Sequence, residues 1–305
     1  MTKRGILKLK GVTRMRLGAL EAGGTKMVCA IGDETGKIFE QVSFPTKTPE
    51  ETIPPMIEYF KDKNIDALGI ASFGPVDLDK DSATYGYITT TPKAGWMNTD
   101  LVGAFQEALK VPVGFDTDVN GSLLGEMTFG QGKGLKDAAY FTVGTGFGMG
   151  LMSGGNLVHG AMHPEGGHIM VRVREDDPMP EGNCPFHGSC LEGMASGPAI
   201  EKRWGKKAIE LKDDPKVWDL EAYYLAQGVV ATTMLLSPKI IILGGGVMHQ
   251  EQLFPLIRKW TKEILKDYLN NPAVNDLDHY IVPASLHDDQ GIMGCLKLAM
   301  DALEV

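Results

Sequence analysis

The sequence lacks the features that characterise secreted, membrane and nucleic-acid-binding proteins. It contains only four cysteines among 305 residues, which is too few for a disulfide framework and favours a reducing, cytoplasmic location. The formal net charge of −9 argues against binding to nucleic acid or to a membrane surface. No apolar run approaches the roughly 20 residues of a transmembrane helix. The hydrophobic content of 43% instead predicts a globular chain with a substantial core, divided into two lobes.

Acidic residues are absent before Glu21, whereas six lysines and arginines fall within residues 1–16. This basic N-terminal extension, residues 1–15, also lacks the serines and the amphipathic period of a transit peptide. A second methionine, Met15, directly precedes the first apolar run. We therefore interpret the segment as an extension or an upstream start rather than as a targeting signal.

Two cysteines and two histidines between residues 163 and 192 have the spacing of a metal site. Cys184, His187 and Cys190 form a tight C-x-x-H-x-x-C knuckle, and His168 supplies a second arm. Two thiolates and two imidazoles are the ligands that structural zinc prefers. Free cysteines are commonly inert core residues, but a pair that frames a histidine so closely favours zinc.

The apolar pattern predicts the same strand arrangement twice. A strand, a glycine turn with a threonine and two further strands occupy residues 16–44, and the arrangement recurs about 120 residues later, in residues 138–159. Helices are predicted over residues 49–63, 100–109 and 290–303 from apolar spacing and capping residues. Chance similarity between β-meanders is the alternative. The pattern predicts an α/β fold with two related lobes that face each other over a cleft.

Three glycine-rich turns at strand ends are candidates for phosphate binding, since glycine lets backbone N–H groups approach anionic oxygens closely. They occupy residues 23–26, 144–150 and 244–248, and the third is predicted to open the helix that includes residues 253–265. None matches the P-loop pattern, and the second is not a dinucleotide-binding fingerprint, because a strand follows it. Together they indicate nucleotide binding across a cleft rather than in one loop.

A dense group of polar residues, Asp116-Thr-Asp-Val-Asn120, follows a strand predicted over residues 111–115. Functional groups of α/β folds lie just past strand ends, and phosphoryl transfer to a hydroxyl needs a group that accepts the proton. Asp118 is the candidate base. The alternative is that Asp116 or Asp118 merely caps the next helix, which is predicted over residues 121–129.

Seven motifs occur in order along the chain: Leu20-Glu-Ala-Gly-Gly-Thr-Lys26, Asp116-Thr-Asp-Val-Asn120, Gly144-Thr-Gly-Phe-Gly148, Glu165-Gly-Gly-His168, Cys184-Pro-Phe-His-Gly-Ser-Cys-Leu-Glu192, Ser196-Gly-Pro198 and Gly244-Gly-Gly-Val-Met248. Together they resemble the ROK family of sugar kinases, and most closely its bacterial fructokinase branch. The resemblance covers residues 17 to about 300 and leaves out only the basic extension. The zinc knuckle joined to Leu-Glu is highly specific, whereas the glycine turns are supporting evidence.

The resemblance implies a duplicated actin-like ATPase fold, which is also described as ribonuclease H-like. Asp118 would be the catalytic base that activates the sugar hydroxyl. Glu165, His168 and Glu192 would bind the sugar, with one nitrogen of His168 left available near it. The zinc ligands would be His168, Cys184, His187 and Cys190.

ATP and magnesium follow from the same resemblance. Magnesium would bridge the phosphates, because transfer chemistry needs their charge neutralised. The first two glycine turns would hold the phosphates. The third turn would line the adenine side together with Pro198. The implied ATP-binding residues are Gly23, Gly24, Thr25, Lys26, Gly144, Thr145, Gly146, Pro198, Gly244, Gly245, Gly246, Val247 and Met248.

Three positions depart from the wider family. Glu21 stands where many members have Asp, which leaves open whether it contacts magnesium or phosphate. Thr117 replaces an asparagine that binds sugar, and Thr90-Thr-Pro-Lys-Ala-Gly-Trp96 replaces the Asn-x-Pro-Gly-Trp sugar loop. The sugar-side changes resemble the fructokinase branch and imply a changed hexose rather than lost catalysis.

The expected activity is ATP-dependent phosphorylation of D-fructose to D-fructose 6-phosphate, with a glucokinase or mannokinase of the same family as the alternative. A sugar-responsive ROK-type repressor would need a helix-turn-helix domain, and the about twenty residues before the first glycine turn are too few for one. The family also implies a homodimer whose partners are a hexose and ATP, without nucleic acid or membrane.

The expected organisation has an N-terminal α/β lobe over residues 16–120 and a C-terminal α/β lobe over residues 121–289. The zinc-binding insertion, residues 163–192, belongs to the second lobe. The closing helix, residues 290–305, is expected to pack back on the first lobe.

Overall fold

The structure, a computed structural model, describes residues 14–304. Apart from its last two positions, the basic extension predicted over residues 1–15 lies outside the described residues. Within the described span, no helix has both the length and the apolar character needed to cross a membrane.

The first half of the described chain is built around one five-stranded sheet in the order β3-β2-β1-β4-β7. The bounds are β1 (Leu17–Ala22), β2 (Lys26–Gly32), β3 (Ile38–Pro45), α1 (Pro49–Lys61), β4 (Ala67–Ser72), β5 (Tyr87–Ile88), β6 (Thr99–Asp100), α2 (Leu101–Leu109), β7 (Val113–Thr117) and α3 (Asp118–Phe129). β1, β4 and β7 are parallel, and β2 is antiparallel to both of its neighbours.

The second half repeats this topology in a sheet of the order β10-β9-β8-β11-β12. The bounds are β8 (Ala138–Val143), β9 (Phe147–Ser153), β10 (Asn156–Leu157), α4 (Leu191–Ala195), α5 (Gly197–Trp204), α6 (Pro215–Leu236), β11 (Ile240–Gly244), α7 (Leu253–Leu265), α8 (Pro272–Asn275), α9 (Leu277–Tyr280), β12 (Ile281–Pro283) and α10 (Gln290–Leu303). β8, β11 and β12 are parallel, and β9 is antiparallel to β8 and β10. The predicted duplicated α/β fold is confirmed.

Helices cover the parallel strands closely. β4 is buried along its whole length and β1 along nearly all of it, as expected of parallel strands packed on both faces. α10 packs against β1, β4 and β7 and also against α3. The approach is so close that a Cβ at Gly69 would lie 1.8 Å from the carbonyl oxygen of Cys295. The C-terminal helix therefore rests on the first sheet.

Three local expectations are wrong. α3 begins at Asp118 rather than at residue 121, because the Thr117 hydroxyl accepts a hydrogen bond from the Asn120 N–H at 3.2 Å and caps the helix. The third glycine turn does not open α7, since Gly246–His249 forms a separate 3₁₀ helix. The last strand of the second repeat ends at Leu157, which leaves His159 beyond it.

Candidate active site

A cleft of about 820 Å³ is lined by residues from both halves of the chain. One wall carries the segment after β4 and the Thr90–Pro92 part of the loop before β6. The opposite wall carries the turn between β8 and β9 and the metal-binding segment. Of the predicted site residues, the cleft brings together Asp118, Gly144, Thr145, Gly146, Glu165, His168, His187 and Glu192.

Asp118 lies in the first turn of α3 and lines this cleft. Its Oδ1 accepts a hydrogen bond from the Val119 N–H at 2.8 Å. Thr117 caps the helix, so the alternative that Asp116 or Asp118 serves only as the cap is wrong. The pKa of Asp118 is raised to about 6, mainly by burial and also by the nearby Glu165 carboxylate, while the hydrogen bond from the Val119 N–H lowers it. A carboxylate with this pKa is still mostly ionised at neutral pH, as a general base must be.

The four predicted metal ligands converge on one point. Their ligand atoms all lie within 4.8 Å of one another. Nδ1 of His168 lies 3.5 Å from the sulfur of Cys190 and 3.8 Å from that of Cys184, and Nδ1 of His187 lies 3.7 Å from the sulfur of Cys184. Tetrahedral zinc would separate its sulfur and nitrogen ligands by about 3.6 Å. The side chains therefore fit zinc.

Local backbone structure explains how the knuckle forms. Cys184 and Gly188 exchange backbone hydrogen bonds of 3.2 and 3.0 Å, which close a tight turn around His187. Gly188 has a φ of 59°, a left-handed conformation that glycine adopts without strain. Cys190 stands at the N-cap of α4. With both Nδ1 atoms turned to the metal position, Nε2 of His168 is left for the cleft.

Glu192 connects the knuckle to the second glycine turn. It lies in the first turn of α4, and its Oε2 accepts a hydrogen bond from the Phe147 N–H at 3.0 Å. A Cβ at Gly146 would lie only 2.9 Å from the same oxygen. This contact was not foreseen, because it joins residues 45 positions apart in the chain. It leaves the other carboxylate oxygen for the cleft.

A second cavity of about 410 Å³ adjoins the cleft and shares Gly144 and Thr145 with it. Predicted residues Pro198, Gly246 and Val247 line it. Glu201 and Lys207 also line it and were missed; Glu201 lies one helical turn after Pro198, a spacing that could have suggested it. The Gly197 N–H donates a hydrogen bond to the Gly144 carbonyl at 2.8 Å, so the start of α5 is fixed against the glycine turn.

The sequence profile of the ROK family matches residues 17–302. The chain belongs to the ROK family. The family and the actin-like fold predicted from the motifs are thereby confirmed.

Two relatives and one solved structure illustrate the similarity. The chain is 51% identical over 289 residues to a putative fructokinase of Bacillus subtilis, with 94% of this chain and 96% of that protein covered. It is 44% identical over 283 residues to a fructokinase of Lactococcus lactis, with 92% and 96% covered. A ROK family glucokinase from Streptomyces griseus, solved with glucose and AMPPNP, is 25% identical, has a TM-score of 0.73 and covers 94% of this chain and 99% of its own.

Some predicted ATP-binding residues of this ROK protein lie apart from these two cavities. Gly244, Gly245 and Met248 line a third cavity of about 630 Å³ beside the segment after β12. Gly23, Gly24 and Thr25 form the turn between β1 and β2, and Lys26 is the first residue of β2. That turn is linked to the cleft wall by Lys93, whose ammonium donates a hydrogen bond to the Gly24 carbonyl at 2.6 Å.

Glu21, at the end of β1, lies in an acidic environment. Its pKa is raised to about 7, mainly by burial and also by the carboxylates of Asp118, Asp289 and Asp288, while Lys26 lowers it. A buried carboxyl surrounded by like charges favours a bound cation, because the cation relieves their repulsion. A divalent cation bound beside Glu21 would relieve this repulsion.

Proposed function

We propose that this ROK protein transfers the γ-phosphoryl group of ATP to the 6-hydroxyl of D-fructose. The observation that carries the proposal is one cleft in which Asp118, Glu165 and Glu192 face a glycine turn, with a second cavity on the other side of that turn. This arrangement suits a sugar and a nucleotide that meet at the turn. The similarity to two fructokinases at 51% and 44% identity supports the choice of reaction.

ATP would occupy the second cavity, with adenine beside Pro198, Gly246 and Val247. Its phosphates would lie along the Gly144–Gly146 turn, where backbone N–H groups can approach them without a side chain in between. The turn of Gly23, Gly24, Thr25 and Lys26 is our candidate for the terminal phosphate, because Lys93 links it to the cleft wall. Magnesium supplies charge neutralisation to the transferred group, and Glu21 is our candidate for holding it.

Asp118 would accept the proton of the attacking sugar hydroxyl. The charge of Glu165 is close enough to raise the pKa of Asp118. Glu165 would bind sugar hydroxyls from the opposite wall. Glu192 would offer its free oxygen to the same sugar, and His168 its Nε2. With four protein ligands the zinc sphere is closed, so its role would be to hold Glu165, His168 and Glu192 in place.

Fructose is the proposed hexose because the sugar-side wall differs from that of the wider family. Thr90 and Pro92 line the cleft where an asparagine loop would otherwise supply hydrogen bonds. A sugar that needs those bonds leaves its hydroxyls unpaired in this cleft, and unpaired buried hydroxyls cost affinity. Wild-type kcat/KM should therefore be at least about 10-fold higher for fructose than for glucose or mannose.

A coupled ADP-release assay with fructose, mannose, glucose and N-acetylated hexoses tests this preference. ATP hydrolysis without sugar serves as the background. A higher kcat/KM for glucose or mannose would contradict the proposed substrate, and sugar-independent ADP release alone would contradict the proposed reaction.

The pH dependence of sugar phosphorylation reports on Asp118. Because its pKa is raised to about 6, the base is protonated, and inactive, below that pH. We expect kcat/KM for fructose to be level near pH 7 and to fall about tenfold per unit below pH 6. An acid limb near pH 4, the ordinary range of an aspartate, would contradict the assignment.

The lobe boundaries and the homodimer remain predictions. We propose lobes over residues 16–120 and 121–289, with α10 closing on the first. Sedimentation equilibrium of the intact protein would test the dimer.

A further inference from the structure

We propose that His163 is a positioning residue that holds Glu165 at a fixed distance from the opposite wall of the sugar cleft. This inference rests on the proposed function, since it concerns the sugar subsite of the same cleft. His163 would not touch the reacting atoms. It would act through Glu165 and through the backbone of the facing wall.

His163 is buried between two segments that are far apart in sequence, with only 4% of its surface exposed. Its Nε2 accepts a hydrogen bond from the Val76 N–H at 3.2 Å, a contact between residues 87 positions apart. Its Nδ1 lies 3.4 Å from Oε1 of Glu165. One imidazole thus bridges the segment after β4 and the segment that carries the sugar-facing glutamate.

The partner on Nε2 decides which nitrogen carries the proton. A backbone N–H can only donate, so Nε2 must accept and has no hydrogen. In the neutral ring the proton is then on Nδ1, the nitrogen that lies 3.4 Å from Oε1 of Glu165. The ring therefore accepts a hydrogen bond from one wall and places its Nδ1 at ion-pair distance from the carboxylate on the other, and a side chain with only one of these capacities would not replace it.

The facing segment is itself part of the sugar cleft. Gly74 and Pro75 line it directly, and a Cβ at Gly74 would lie 3.4 Å from Cε1 of His163. The Pro75 carbonyl accepts hydrogen bonds from the N–H and the hydroxyl of Thr89, at 2.8 and 3.1 Å. Thr89 precedes Thr90, another lining residue. His163 thus fixes the position of Glu165 relative to the cleft wall formed by Gly74, Pro75 and Thr90.

Two substitutions separate the hydrogen bond to Val76 from the contact with Glu165. In His163→Asn the amide takes the place of Nδ1 and can still donate to Glu165, but nothing reaches Val76. In His163→Gln the amide takes the place of Nε2 and can still accept from Val76, but Glu165 loses its donor. Because both contacts are needed, each variant should raise KM for fructose about 10-fold, and His163→Ala about 100-fold.

A loss of folded protein would not produce this pattern. It would lower kcat and leave the KM of the remaining active molecules unchanged, whereas the inference predicts kcat and KM for ATP within about threefold of wild type. The ratio of kcat/KM for fructose to that for glucose should also fall. His279→Gln, at a histidine whose side chain is 87% exposed, is the matched control and should have wild-type constants.

Fructose binding should be measured by calorimetry beside the kinetics. A wild-type KM and Kd in His163→Ala, or in either single-bond variant, would overturn the inference while the proposed function stands. If the wild-type protein binds fructose but does not phosphorylate it, the proposed reaction fails and the Kd values still decide the role of His163. If it binds no hexose, both fail. Should the alanine variant not fold, the asparagine and glutamine variants give the decision.

Discussion

Asp118→Asn should lower kcat for fructose by about 10²–10⁴-fold, the usual contribution of a general base. The amide cannot accept the proton of the attacking hydroxyl, but it has nearly the same shape as the carboxylate. Its oxygen can still accept the 2.8 Å hydrogen bond from the Val119 N–H. Steady-state kinetics under saturating ATP and fructose would measure the loss.

The fold of this variant should be intact, because the substitution removes a charge that burial disfavours. We expect a melting temperature no lower than that of the wild type, and unchanged binding of a fluorescent ATP analogue. Asp62→Asn, at the exposed end of α1, is the matched control and should keep full activity. A folded Asp118→Asn protein with kcat within tenfold of wild type would remove Asp118 as the base.

Cys190→Ala should lower the zinc content from about one ion per chain to nearly zero, since structural zinc needs all four ligands. Glu165 and Glu192 flank the cluster in sequence, and Glu192 also holds the Phe147 N–H. Loss of the metal should therefore raise KM for fructose more than KM for ATP. Elemental analysis of purified protein, together with both KM values, would measure the effect.

Cys29→Ala provides the control for this substitution. Cys29 is also a buried free cysteine, but it lies in β2, away from the metal-binding segment. Its variant should retain zinc and wild-type KM values. Metal-free protein that phosphorylates fructose at the wild-type rate would refute a positioning role for zinc.

The predictions that were confirmed rest on short-range patterns in the sequence. The bounds of α10 follow from apolar spacing, and the repeated strand and glycine-turn pattern corresponds to the repeated sheet order. The four cysteine and histidine ligands were recognisable because three of them lie within seven residues. Their convergence in the structure depends mostly on one tight turn.

α6 shows where periodicity fails. This 22-residue helix was not predicted, although it is the longest in the described chain. It is buried on most of its circumference, so apolar residues such as Val217, Leu220 and Leu225 occur on several faces and no amphipathic period remains. The sequence of a helix that is buried on most sides cannot be told from other apolar runs by its period.

Two kinds of contact could not be predicted from the sequence: one local choice of helix cap and several long-range bonds. Thr117 rather than Asp118 caps α3, and these two residue types cap helices with similar strength. The bonds of Glu192 to Phe147 and of His163 to Val76 join distant parts of the chain. Spacing within one motif cannot reveal such partners, which only the packing of the two halves brings together.

We propose that this cleft transfers the γ-phosphoryl group of ATP to the 6-hydroxyl of fructose. Phosphorus NMR of the wild-type protein with ATP, magnesium and fructose tests it most directly. We expect one new monoester signal that coincides with added fructose 6-phosphate, with an intensity of one monoester per ATP consumed, together with ADP. A signal that matches fructose 1-phosphate, or ATP consumption without a sugar phosphate, would contradict it.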